Sequence, residues 1–283
     1  MIRTYFQTAS SFEKRDWIAM LALIVIAVFV GMPFVWMFST SLQPGKGLVL
    51  PPTYVPEDPS LDAYRNLFTS RVPFLRAYWN SVFIAVMTTL GVLVSSSLAA
   101  FAFSRLEFRG RAVMFALILM SLMVPASFVL IPLFFQFASI KILDSIWALI
   151  LPTLISPLGV FMLRQFMVSQ PVEYEEAALI EGASYWSIFR RVSLPQMAPA
   201  MASLGIITFA SSWNNFLLPL VFAQNQGQLT LPLAILTIAT TGEYTDIAGI
   251  MAGVTLSLAP LFIVFLFAQR FIVEGLTGTG MKN

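Results

Sequence analysis

The chain has no cysteine and no histidine, and Asp, Glu, Lys and Arg together make up only 11% of its 283 residues. A soluble domain usually carries about 25% charged residues. The missing thiols and imidazoles remove disulfides, thiol nucleophiles and the usual zinc or haem ligands. Lysine is limited to Lys14, Lys46, Lys141 and Lys282, and none stands in a G-x-x-x-x-G-K-[ST] frame. The chain therefore lacks a phosphate loop of that type, and any ATP that drives it must bind elsewhere. A net charge of +2 is too small for a nucleic-acid footprint. No internal repeat is evident, which gives no support to an inverted-repeat carrier. No ionisable residue sits at the centre of an apolar run, where a proton- or sodium-coupled carrier would place one. With no His, no Cys and no paired carboxylates in the apolar runs, a membrane enzyme is disfavoured as well.

What is present is oil: 58% of the residues are hydrophobic, in runs near the ~20 residues that cross a bilayer as a helix. The class is an all-α polytopic membrane protein forming a single domain, with six spans expected at about 17–39, 79–103, 112–137, 145–168, 199–222 and 247–268. The first run is too long for a signal-peptide core and has no clear cleavage site after it. Six spans put both termini on one side, together with Arg3, Lys14, Arg15, Arg105, Arg109, Arg111, Arg164, Arg190, Arg191, Arg270 and Lys282. The other side holds Lys46, Arg65, Arg71, Arg76 and Lys141. The excess of basic residues on the first side makes it cytoplasmic.

Two outer loops are expected, 40–78 and 223–246. The first is proline-rich, with a short helix near 61–68. The second contains 229–239, an apolar piece too short to span. Prolines at Pro125, Pro132, Pro152, Pro157, Pro219 and Pro260 should bend their spans.

Against this background residues 169–198 form a charged loop on the cytoplasmic side, with the sequence PVEYEEAALIEGASYWSIFRRVSLP from Pro171. Pro171 suits a first helical turn, and Glu173, Glu175 and Glu176 suit the positive end of a helix dipole. Gly182 fits the left-handed residue that ends a helix, Ser184 can cap the next one, and Pro195 should stop it. Ala177 and Ala178 present almost no bulk, so a partner could approach this helix closely.

The loop resembles the EAA motif of permease subunits of bacterial ABC importers, E-A-A, three residues, G, nine residues, I, one residue, L-P. Glu176, Ala177, Ala178, Gly182, Leu194 and Pro195 match, and Val192 replaces the Ile. The segment Trp213-Asn214-Asn215-Phe216-Leu217-Leu218-Pro219 and the ending from Gln269 to Lys282 are similar to the carbohydrate branch, in particular its maltose-type six-span subunit.

That resemblance implies a type I ABC importer permease fold in the bacterial cytoplasmic (inner) membrane. Its implied partners are a second permease subunit, an ATPase dimer, an extracytoplasmic binding protein and a sugar. The chain itself would carry no cofactor, since ATP and magnesium would sit on the ATPase. Glu176, Ala177, Ala178, Glu181, Gly182, Leu194 and Pro195 would form the element that couples to the ATPase, and the tail from Gly275 would reach it too. Thr241, Gly242, Glu243 and Tyr244 would face the binding protein.

For the solute path the chemical candidates are Asn80, Gln136, Trp147, Trp213, Asn214 and Asn215. Asn80 and Trp147 fit interfacial anchors better, and Gln136 fits a hydrogen bond between helices. For Trp213, Asn214 and Asn215, path lining and structural bonding stand equal. The same machinery carrying a non-sugar such as glycerol phosphate, and a stand-alone channel or secondary carrier, are the alternatives.

Overall fold

The computed structural model describes residues 14–44, 54–56, 58–240 and 247–280. It divides into two compact units, one of residues 1–69 with 238–256 and one of residues 70–237 with 257–283. Among the described residues, four segments are long and apolar enough to cross a membrane, and the number rises to six if each of two sharply bent helix pairs is one span.

In the first unit, helix α1 (Lys14–Ser41) is apolar all round, as a lipid- or subunit-facing helix must be. Its residues from Trp17 to Phe38 are largely exposed on this chain, whereas Ser39, Thr40 and Ser41 are buried. Ser41 Oγ shares a 2.7 Å hydrogen bond with Tyr64 Oη on α2 (Asp62–Thr69), the short helix expected in the first outer loop.

The second unit is built on α3 (Phe74–Arg105), which begins five residues before the expected span. α4 (Arg111–Ser121) and α5 (Ala126–Ser139) follow. The sequence reading made 112–137 one span, but these two helices meet at 97°. Pro125 explains the break, because its ring disfavours helical geometry at the residue before it. Pro132, deeper in α5, is accommodated within the helix.

α6 (Ile146–Ile150) and α7 (Pro157–Ser169) form one apolar segment interrupted by a tight turn at Leu151–Thr153. The expected fifth span is likewise two helices, α11 (Ala198–Trp213) and α12 (Leu217–Phe222). The loop before it holds α8 (Glu173–Ile180), α9 (Tyr185–Ile188) and α10 (Leu194–Gln196). α13 (Leu231–Thr240) is too short to span, as expected. α14 (Ile247–Gly280) runs well past the predicted end at 268.

α3, α7 and α11 pack around one core: Val92, Ala100 and Phe101 meet Leu163 and Met167, and Ile188, Phe189, Met197 and Leu204 close it. Small residues set the spacing. A Cβ on Gly159 of α7 would lie 2.5 Å from Ser96 Oγ and 3.1 Å from Leu204 Cδ2.

Where helices break, side chains replace lost backbone partners. Ser95 Oγ donates to the Leu154 carbonyl at 2.7 Å, just past the turn between α6 and α7. Asn80 Nδ2 donates to the carbonyls of Gly227 and Leu229 at 3.1 and 2.9 Å. The interfacial role expected for Asn80 is thus corrected: it is a buried cross-link to the loop before α13. Trp147 fits its expected place better, half exposed and edge-on to Phe83.

Gly159→Val should destabilise the protein by about 1–3 kcal/mol through overpacking. Gly31→Ala, where nothing lies within 4 Å of the added carbon, should change little. Thermal melting of the two purified variants checks the contrast.

Candidate functional site

The loop between α7 and α11 follows the expected local chemistry up to its second half. α8 has Glu173, Glu175 and Glu176 in its first turn. Gly182 has φ +83°, the left-handed conformation that a side chain resists, and its N–H reaches the Leu179 carbonyl at 3.0 Å. Ser184 caps α9 by accepting from the Ser187 N–H.

Pro195 does not stop the second helix. The chain stays helical through a π turn at Phe189–Ser193 into α10, with Pro195 in the first turn of α10. A missing N–H costs nothing there, and the wide π turn takes up the extra residue. The sharp bend, 74°, comes at the junction of α10 and α11.

α8 has two faces. Glu173, Glu176, Ala177 and Ile180 are exposed at helical spacing, and Ile180 is 88% exposed. Tyr174, Tyr185 and Trp186 extend this surface, and Glu181 and Gly182 are exposed at its end. Ala178 instead packs inward against the core of α3, α7 and α11. Only Ala177 of the two alanines is therefore placed for close approach by a partner. Leu194 also packs against the core, while Pro195 is exposed.

Glu175 sits in the first turn of α8 as the helix dipole favours, but it is turned inward. It is 5% exposed, forms an ion pair with Arg105 at the end of α3, and accepts a 2.8 Å hydrogen bond from Ser193 Oγ. Arg105 Nη2 also donates to the Gln170 carbonyl at the end of α7. The sequence carries no local signal for this, because the burial of Glu175 depends on Arg105, which is remote in the chain.

The path candidates separate sharply. Trp213 is 2% exposed, its Nε1 donates to the Ser257 carbonyl at 3.1 Å, and its ring stacks on Phe209. Pro260 lies three residues beyond Ser257 in α14, where it weakens the local helix bonding. Asn214 Nδ2 donates to the Ala210 carbonyl of its own helix, and Asn215 Oδ1 accepts from the Leu218 N–H at the start of α12. These residues close the ends of a broken span.

Asn215 also lines a cavity of about 270 Å³ between α3, α7 and α11, together with Thr88, Thr153, Ser156, Thr208 and Ser211. No described lining residue is charged. Thr230 Oγ1 on the same wall is buried and has no hydrogen-bond partner among the described residues. Trp213, Asn214 and Gln136 are not in this wall. Gln136 is exposed on α5, and its side chain makes no bond to another helix among the described residues. Thr241, Gly242, Glu243 and Tyr244 lie outside the described residues, as do the side chains of the tail from Gly275.

Residues 91–278 match the family described as binding-protein-dependent transport system inner membrane component. The chain is 32% identical over 272 residues to the arabinooligosaccharides transport system permease protein AraQ of Halalkalibacterium halodurans, spanning 95% of this chain and 97% of that protein. It is also 32% identical over 274 residues to the trehalose transport system permease protein SugB of Mycobacterium tuberculosis, spanning 96% and 99%. In fold it matches a chain of a bacterial ABC transporter involved in the import of the acidic polysaccharide alginate. The TM-score there is 0.79, with 22% identity, over 93% of this chain and 99% of that one.

Trp213→Ala should cost about 3–5 kcal/mol of stability, the usual loss for a buried large aromatic. Asn214→Ala, exposed and bonded only to its own helix, should cost far less. Denaturation of the purified variants in detergent measures the difference.

Proposed function

Because the chain belongs to the binding-protein-dependent transport system inner membrane components, with the type I importer permease fold, we propose that it moves a neutral oligosaccharide across the bacterial cytoplasmic membrane, powered by ATP hydrolysed on a separate subunit. The observation that carries this is α8. It is short and acidic, it presents one side chain-poor exposed face at Ala177, and the fixed angle at Gly182 follows it. Such a helix suits a cleft on a soluble partner, and a rigid lever of this kind transmits a rigid-body movement.

In this reading Glu176, Ala177, Glu181 and Gly182 meet the ATPase dimer. Ala178 and Leu194 fix the element to the membrane core instead of touching the partner, and Pro195 stays exposed beside them. The exposed apolar length of α1 faces lipid or a second permease subunit. The solved alginate importer is also known in complex with an alginate pentasaccharide-bound periplasmic protein. That supports an extracytoplasmic binding protein as the donor of solute here, reached by the segment that includes Thr241 to Tyr244. ATP and magnesium belong to the ATPase. Both termini are cytoplasmic, from the distribution of Lys and Arg.

The cavity favours a neutral solute over an anionic one. Its wall mixes hydroxyls, which hydrogen-bond sugar hydroxyls, with apolar surface from Ile84, Leu149 and Leu204, which suits the C–H faces of a ring. Glycerol phosphate would want a cation that this wall does not offer.

Purification with its partners and reconstitution test the reading. Gly182→Pro should abolish uptake of a labelled oligosaccharide while the complex still assembles. A G182P complex with full, binding-protein-stimulated uptake would refute the assignment of α8. Since the chain has no cysteine, Ile180→Cys gives a single labelling site. It should react with a membrane-impermeant maleimide in inside-out vesicles and resist it in intact cells; the reverse pattern refutes the orientation.

A further inference from the structure

Behind the exposed face of α8, four elements meet at one buried ion pair. Glu175 comes from α8, Arg105 from the last residue of α3, the Gln170 carbonyl from the end of α7, and Ser193 from the π turn. The Arg105 and Glu175 side chains are 11% and 7% exposed, and Ser193 is fully buried. The site is expensive to build. Two charges are withdrawn from water, and a π turn, rare outside functional sites, brings Ser193 to the carboxylate. A plain structural contact could be made by apolar residues of similar volume at less cost.

The geometry is also directional. Arg105 ends α3, the longest helix in the core that packs against both α7 and α11. Its guanidinium spans from α8 to the end of α7, so two donors of one planar group tie two elements to a third. A cavity of about 210 Å³ lies alongside, its wall including Phe101, Ser104, Glu176, Leu179, Tyr185 and Ile188 as well as the pair itself. Apolar packing is therefore incomplete between α8 and α3, and the polar junction carries the connection.

We propose that the Arg105–Glu175–Ser193 junction is the strut that passes displacement of α8 into α3, so that Glu175 and Arg105 are positioning residues for coupling. This rests on the reading of α8 as the ATPase-facing element. With the strut in place, α8 and the lower end of α3 move as one body. Without its charge, α8 can shift in its cavity while α3 stays behind.

The test uses the complete transporter with its ATPase, second permease and binding protein, in lipid vesicles, measuring oligosaccharide uptake per ATP hydrolysed. E175Q keeps the shape and removes the charge. It should lower that ratio at least about fivefold, the lower end of ordinary coupling between sites. E175D, which keeps the charge, should recover much of it.

Spin labels at I180C and L98C report the spacing of α8 and α3. Wild type should hold this distance between nucleotide-free and ATP-trapped states. E175Q should change it by more than about 2 Å, the scale of helix shifts in such transitions. An E175Q complex with a wild-type ratio and a constant distance overturns the proposal, and so does a wild-type distance that changes with nucleotide. Should E175Q fail to assemble, S193A carries the test, since it leaves the ion pair and removes one clamp. A reduced ratio supports the strut and an unchanged ratio overturns it. E181A, on the exposed face and outside this cavity, separates the two ideas: if it lowers the ratio and E175Q does not, only the strut fails. If neither lowers it, the reading of α8 fails.

Discussion

Within hydrocarbon a carbonyl that loses its helical partner has no water to take its place, and every break in a membrane helix must be repaired by the protein itself. This chain breaks its apolar helices repeatedly, at Pro125, around Leu154, and at Asn214 to Phe216, and the polar residues inside the oily sequence are concentrated where those repairs are made. Ser95 serves Leu154 and Asn215 holds the first turn of α12, while Trp213 donates to the Ser257 carbonyl within the uninterrupted α14. The bends are thus fixed features, and they create the uncharged cavity between α3, α7 and α11.

The same economy governs the loop that leaves the membrane. Its charges fall into two sets. Glu173, Glu176 and Glu181 are exposed and available to a partner, whereas Glu175 is turned inward and neutralised by Arg105. One short helix thereby has an exposed face and a face for attachment. Ala177 and Ala178, adjacent in sequence, fall on opposite sides of that division.

The class, the helical loop and the turn at Gly182 were legible because they depend on composition and on local rules: apolar length, dipole charge, a left-handed glycine. The short helix near 61–68 and the non-spanning apolar piece before Thr240 were legible for the same reason. The breaks at Pro125 and at Asn214 were less so. A hydropathy run continues across a bend, and proline marks where a helix can break without stating the angle. Pro195 misled because its effect depends on position: in the first turn of α10 it removes nothing. The inward turn of Glu175 was missed because its role is set by Arg105, which is remote in sequence and reaches it only through the packing of α3. Among the path candidates, Trp213 and Asn214 have the chemistry to bind a sugar but use it on carbonyls of their own fold, whereas Asn215 lines the cavity.

The central claim is that this membrane domain is passive and takes its motion from a nucleotide-hydrolysing partner through α8. Solute flux in sealed proteoliposomes tests it most directly, comparing the chain with its permease partner alone against the full assembly supplied with ATP and loaded binding protein. The account predicts accumulation only in the full assembly, and only while ATP is hydrolysed. Saturable uptake by the membrane subunits without the ATPase would contradict it.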